Sequence, residues 1–171
     1  MTAKILDGRA LAQEIKDSLK SQIAHRIEQG LAQPRLDVIL VGNDPASEIY
    51  VGHKKRACAA VGIESVAHHL DADIAEEELL TLIQQLNNNP ACNGILLQLP
   101  VPKHIDADKL IEAIAIDKDV DGFHPFNVGR LALRQPYLQP CTPKGIMTLI
   151  NSSQKNIAGL NATIVGASNI V

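Results

Sequence analysis

The sequence predicts an α/β fold built on a parallel sheet. Three observations predict it. Short apolar runs at 36–41, 63–70 and 95–99 alternate with longer segments of helical periodicity, the order that βαβ units require. The runs are rich in branched aliphatic residues, and the last is almost wholly apolar, as strands covered on both faces are. Hydrophobic residues fill 46% of the 171 positions while aromatics fill only 2%. That is enough for one aliphatic core and the start of a second.

In chain order, Leu11, Ile15, Leu19, Ile23 and Ile27 recur every fourth residue. They predict a first helix over 8–30, stopped by Gly30, with this stripe packed in the core. Residues 36–41 form the first strand. Asp44 then caps a helix over 45–60, with Pro45 at its first position and Gly62 closing it. Residues 63–70 alternate loosely as a second strand. Asp73 with Glu76 has capping-box spacing and opens a helix whose inner face is Leu79, Leu80, Ile83 and Leu86. Residues 95–99 suit a central parallel strand, ended by Pro100 and Pro102. A short helix over 106–114 turns Leu110, Ile111 and Ile114 inward. The polar stretch 117–127 is turn-rich, residues 127–133 form a helical turn, and 136–140 is extended. Thr142 and Pro143 start a helix carrying Ile146, Met147, Leu149 and Ile150. After a polar linker, 162–165 reads as a fresh strand leading into Gly166, Ala167 and Ser168.

Composition excludes several function classes. Net charge is −3, with no basic cluster, so a nucleic-acid surface is not expected. Cys58, Cys92 and Cys141 are odd in number and lack metal-ligand spacing. Reduced thiols are expected, with neither disulfide nor metal. No signal-type apolar core and no membrane-length run is present, which by elimination points to the cytoplasm.

Four side chains stand out as chemistry-bearing. Tyr50 and Lys54 are four apart on a predicted helix, so a phenol and an amine share one face near the carboxyl end of the first strand. Open α/β sheets bind ligands at that edge. A free lysine, with a pKa of ~10.4, is a poor base at neutral pH. Partial burial and the neighbouring His53, Lys55 and Arg56 would favour its neutral form. Read alone, Lys54 fits a solvated surface lysine better than a perturbed one, and Tyr50 is as readily a half-buried core residue with a satisfied hydroxyl. Gln98 is the one polar residue in its run. A buried amide without partners costs about 1–3 kcal/mol, so it serves either a ligand, the Lys54 amine or a backbone group near Pro100. Asp121 lies in an Asp-Gly turn; its carboxylate either shapes the turn or holds an amidine-like heterocycle edge by paired hydrogen bonds. His68, His69, His104 and His124 lack metal spacing. Gly166 to Ser168 after a strand would let a phosphate approach, although so short a fragment is a weak signal.

Taken together, VGNDPASEIYVGHK, LNNNPACNGILLQLPVP, KDVDGFHP, PCTPKGIM and VGASNIV resemble the bifunctional methylenetetrahydrofolate dehydrogenase/methenyltetrahydrofolate cyclohydrolase family of FolD type. The likeness runs from about residue 5 to 171. It implies a folate-binding catalytic α/β domain over 1–140, a connecting helix and linker over 141–159, and over 160–171 the first strand of a Rossmann-type NADP domain. It implies that Tyr50 packs on the folate, Lys54 is the central acid–base group, Gln98 orients it and Asp121 anchors the pterin. Gly166, Ala167 and Ser168 match the first turn of the NADP site. The implied reaction is NADP-dependent oxidation of 5,10-methylenetetrahydrofolate followed by hydrolysis to 10-formyltetrahydrofolate, by a homodimer. The sequence ends inside the last motif, so the expectation is a fragment that holds folate weakly and does not use NADP productively. Two alternatives stand beside this reading. One is an inactive folate-binding fragment. The other is a short-chain dehydrogenase, which also uses Tyr-x-x-x-Lys but carries its glycine-rich turn before the tyrosine.

Overall fold

The computed structural model describes residues 5–153, 156–166 and 168. Its elements run α1 (Gly8–Glu28), β1 (Arg35–Val41), α2 (Pro45–Val61), β2 (Glu64–Leu70), α3 (Glu76–Asn88), β3 (Gly94–Leu97), α4 (Ala107–Ala113), α5 (Pro125–Ala132) and α6 (Cys141–Ser153). The strands form a parallel sheet in the order β2-β1-β3. Parallel neighbours cannot be joined by tight turns, so α2 and α3 carry the chain from one strand to the next. The α/β architecture is therefore the expected one.

Strand alternation sorts the two faces. Ile39, Val41, Ile95 and Leu97 meet Leu79, Ile83 and Leu86 of α3 and Leu110 of α4 in one aliphatic core. Ile39, Leu79, Ile83 and Leu110 are fully buried, and each such side chain contributes roughly 1.5–3 kcal/mol by leaving water. Leu36, Val38 and Leu40 alternate to the opposite face, where α2 lies. There Ile23 of α1 closes against Gly62, whose φ of 87° ends α2 in the left-handed region. Asp44 caps α2 as expected, its Oδ2 accepting from Ser47 N at 2.8 Å, with Pro45 at the first turn.

Several sequence expectations are corrected. β1, not β3, is central, because only β1 has a named strand on each side. The outer edge of β3 is met by a single bridge from Ile95 to Asp119. β3 also stops at Leu97, leaving Gln98 and Leu99 just outside it. Asp73 does not cap α3. Ala75 occupies that position without a side-chain bond, and Glu76 is engaged elsewhere, accepting from Asp106 N and Lys109 Nζ at the start of α4. The α1 stripe is not core: only Ile23 is buried, while Ile15, Leu19 and Ile27 are exposed. α6 begins at Cys141, so Thr142 lies inside its first turn, and Ile146 and Met147 face solvent. α5 starts at Pro125, two residues before the expected turn. Residues 162–165 pair with no strand among the described residues, and Ile164 and Val165 are almost fully exposed. A strand exists only by pairing, and no described residue pairs with this segment.

Candidate active site

α2 descends from the carboxyl end of β1, so Tyr50 comes first and Lys54 one turn later on the same face. Tyr50 is 62% exposed; it is not a core tyrosine, and its ring is open to a planar partner. Lys54 is half-buried and donates from Nζ to Gln98 Oε1 at 3.1 Å. Gln98 is fixed at both ends. Its backbone N donates to Ile39 O at 2.9 Å, continuing the β1–β3 ladder by one step. Its Nε2 donates to Leu99 O at 2.8 Å. Two of the three readings of Gln98 thus hold together, since the amide serves a local carbonyl and the lysine.

From Lys54 an open cleft of about 450 Å³ runs under the α2 face of the sheet. Its walls include Leu36 and Leu96 from the sheet, Ala57 and Cys58 from α2, and Val120, Asp121 and Cys141 from the opposite side. It reaches Pro34, Asn93 and Gly94, which lie at the amino ends of β1 and β3. The cavity therefore departs from the expected carboxyl edge, because the turn carrying Asp121 crosses close to the start of β3. There Val120 Cγ1 stands only 2.4 Å from where a Cβ on Gly94 would be. This apolar slot, lined by a lysine and a carboxylate, suits a planar heterocycle with polar edges.

The electrostatics follow from burial. Burial raises the Asp121 carboxyl above the ordinary carboxylate range; Lys54 opposes the rise and Asp119 adds to it. Burial likewise raises the Cys58 thiol, and burial with the nearby Asp121 raises that of Cys141. Cys141 donates from Sγ to Val120 O at 3.6 Å. As a wall residue it was missed by the sequence reading, which treated all three cysteines as background. The Pro-Cys-Thr-Pro spacing at the start of α6 was the only available signal. All three cysteines are free thiols.

Gly166 and Ser168 lie apart from this cleft's walls, and Ala167 is outside the described residues. Gly166 has φ 147°, and a Cβ built there would meet nothing within 4 Å. Among the described residues no paired strand precedes it and no helix follows it. These residues do not by themselves build a phosphate cradle, which needs helix amides aimed at the anion. Among the described residues no group of three His, Cys, Asp or Glu side chains could hold a metal ion.

Comparison with known proteins addresses the same two regions. A family model described as tetrahydrofolate dehydrogenase/cyclohydrolase, catalytic domain, matches residues 6–121. The chain belongs to this family. The companion model for its NAD(P)-binding domain matches residues 140–171, so the C-terminal end is the start of that domain although its described residues form no paired strand. Solved structures agree. The FolD bifunctional dehydrogenase/cyclohydrolase of Campylobacter jejuni is 46% identical, with a TM-score of 0.95 over 98% of this chain and 60% of its own. A 5,10-methylenetetrahydrofolate dehydrogenase from the silkworm Bombyx mori is 44% identical, with a TM-score of 0.86 over 88% of this chain and 52% of its own. The Trypanosoma brucei FolD, solved with NADP and an inhibitor, is 35% identical, with a TM-score of 0.84 over 90% of this chain and 53% of its own. The chain thus spans between half and three-fifths of the length of these tetrahydrofolate dehydrogenase/cyclohydrolase structures. Membership also removes the short-chain dehydrogenase alternative. No helix among the described residues is long and apolar enough to cross a membrane.

Proposed function

We propose that this chain supplies the folate site and the acid–base group of an NADP-dependent enzyme of one-carbon metabolism. That enzyme oxidises 5,10-methylenetetrahydrofolate to 5,10-methenyltetrahydrofolate and hydrolyses the product to 10-formyltetrahydrofolate. The observation that carries the reading is the Lys54–Gln98 pair at 3.1 Å, whose lysine lines the same cleft as Asp121.

The geometry supports the following roles. The methenyl carbon is cationic, and an amine tolerates it where an ammonium would repel it. Lys54 takes a proton as water adds to that carbon. It returns the proton to a ring nitrogen as the carbon–nitrogen bond of the tetrahedral adduct breaks, leaving the formyl group on the other nitrogen. Gln98 offers Lys54 an acceptor, which holds the amine in place without adding a charge. Tyr50 stacks on the folate rings, and Asp121 accepts paired hydrogen bonds from the pterin edge. NADP, when bound, accepts the hydride. Its site, to which Gly166, Ala167 and Ser168 contribute, depends on more than the described residues build.

We divide the chain into the folate-binding domain over 1–140, a connecting helix and linker over 141–159, and the opening of the nucleotide domain over 160–171. The exposed apolar residues Ile15, Leu19, Ile146 and Met147 on α1 and α6 supply surface for further packing, in keeping with a homodimer. The free thiols support a reducing, cytoplasmic setting. The test of this reading is titration of the chain with 5,10-methenyltetrahydrofolate. Saturable binding is expected, weakened about tenfold or more by either Asp121→Asn or Tyr50→Ala. Binding indifferent to both changes would overturn the reading.

A further inference from the structure

Asp119 and Asn127 are buried polar residues with no part in the chemistry above. Asp119 is 2% exposed and Asn127 is fully buried. No salt bridge to Asp119 is formed among the described residues. Its carboxylate is held by N–H groups instead. Phe123 N donates to Oδ1 at 3.3 Å. His124 N and Asn127 Nδ2 both donate to Oδ2 at 2.8 Å. His124 caps the start of α5, where unsatisfied amides and the helix dipole favour a negative group.

The Asn127 amide is used on both sides. Nδ2 also donates to Ile116 O at 3.2 Å, and Oδ1 accepts from Leu138 N at 3.5 Å. One side chain therefore ties together the approach to the turn, the turn itself and the segment that enters α6. Asp121 sits between these ties, and both its neighbours lean on that entering segment. Gly122, with φ 69°, has Gln139 C and Pro140 N at 2.6 and 2.7 Å from where a Cβ would stand. Val120 O accepts from Cys141 Sγ. An apolar residue at 127 would leave Leu138 N without its acceptor and deprive the Asp119 carboxylate of one donor. What the amide adds is a fixed orientation of three segments around Asp121.

We propose that Asn127 is a positioning residue of the folate site, acting through Asp119 and Leu138 to hold the turn that sets Asp121 on the cleft wall. The binding arm of its test rests on Asp121 being the pterin anchor; the titration arm does not.

The experiment compares the wild-type chain with Asn127→Leu, Asn127→Ser, Asp121→Asn and the double variant Asn127→Leu/Asp121→Asn. The first readout is affinity for 5,10-methenyltetrahydrofolate. Asn127→Leu is expected to weaken it about tenfold. The double variant should bind no worse than Asp121→Asn, and Asn127→Ser, which keeps one donor toward Asp119, should recover part of the loss. Additive losses, or unchanged affinity in Asn127→Leu, would overturn the proposal. The second readout is the Asp121 carboxyl titration by carbon NMR, with Lys54, Asp119 and Cys141 as its charged or titratable neighbours. Asn127→Leu should move the midpoint from its raised position toward the ordinary one. If wild type fails to bind the folate, the site reading falls and this titration alone decides the positioning role; an unmoved midpoint overturns it. If the Asn127 variants do not fold, amide exchange in wild type decides. Protection of Phe123 and His124 amides supports the network, and exchange at free-loop rates refutes it.

Discussion

Gln98 offers its oxygen to Lys54: Oε1 stands 3.1 Å from Lys54 Nζ, while Nε2 is turned to Leu99 O at 2.8 Å. The amide thus accepts from the lysine without donating to it. A neutral acceptor steadies the amine and leaves its charge free to change during turnover, which a carboxylate at the same place would not allow.

Gln98→Glu is therefore expected to impair hydrolysis by locking Lys54 as an ammonium in an ion pair. The loss should be on the order of 10²-fold or more, the range for removing a general base. The rate of methenyl absorbance loss at neutral pH checks this. A rate equal to wild type at neutral pH would contradict the role given to Gln98.

A second prediction concerns pH and stability. Asp37 is fully buried inside β1, and its carboxylate accepts from Arg35 Nε at 2.9 Å, Arg35 Nη2 at 2.7 Å and His68 Nε2 at 2.8 Å. Burial alone would raise its pKa, but the Arg35 and His68 hydrogen bonds outweigh this and hold it below the ordinary carboxylate range. A depressed folded-state pKa means the stabilisation is complete above the unfolded value and is lost as pH falls through the folded value. Urea unfolding from pH 7 downward should show stability falling below about pH 4. Asp37→Asn should flatten this contribution to the acid slope and lower stability at neutral pH by about 1–3 kcal/mol. An unchanged acid slope would argue against the pairing. The same carboxylate, with burial as the larger cause, helps push the Cys92 thiol up to about 11.

How far the sequence could be read follows from where each signal was local. Asp44, Pro45 and Gly62 bound α2 because caps act on adjacent amides, and the inner faces of α3 and α4 followed from spacing. α1 misled for a physical reason: a regular aliphatic stripe says what a helix can pack against, not whether anything covers it, and here only Ile23 is covered. Strand order was invisible because β1 and β3 are both apolar, and only pairing distinguishes centre from edge. The Tyr50–Lys54 pair was legible as a helical spacing. Its link to Gln98, 44 positions on, was only one of three options, and Cys141 and Asn127 escaped notice because their partners are contributed by separate segments. Asp37, read as part of an apolar run, conceals an ion pair with a residue two positions earlier on the same face of the strand.

Arg134 gives a third prediction. It takes φ 60° just after α5, with its N donating to Leu131 O at 3.0 Å and Gln135 N donating to Arg130 O at 2.9 Å. This is the hydrogen-bond pattern of a Schellman cap, whose left-handed position is most easily filled by glycine. Arg134→Gly should raise stability by about 1 kcal/mol, the strain of a side chain in that region. Thermal unfolding checks it, and a destabilised variant would show that the Arg134 side chain contributes more than its backbone strain costs.

The most direct test of the account is the rate of methenyl absorbance loss with wild type and Lys54→Met, measured beside folate affinity for both. If Lys54 is the acid–base group, the variant loses at least about 10²-fold in rate while still binding folate within severalfold of wild type. A Lys54→Met protein that hydrolyses at the wild-type rate, or one whose rate loss is matched by an equal loss of binding, would contradict the central role of Lys54.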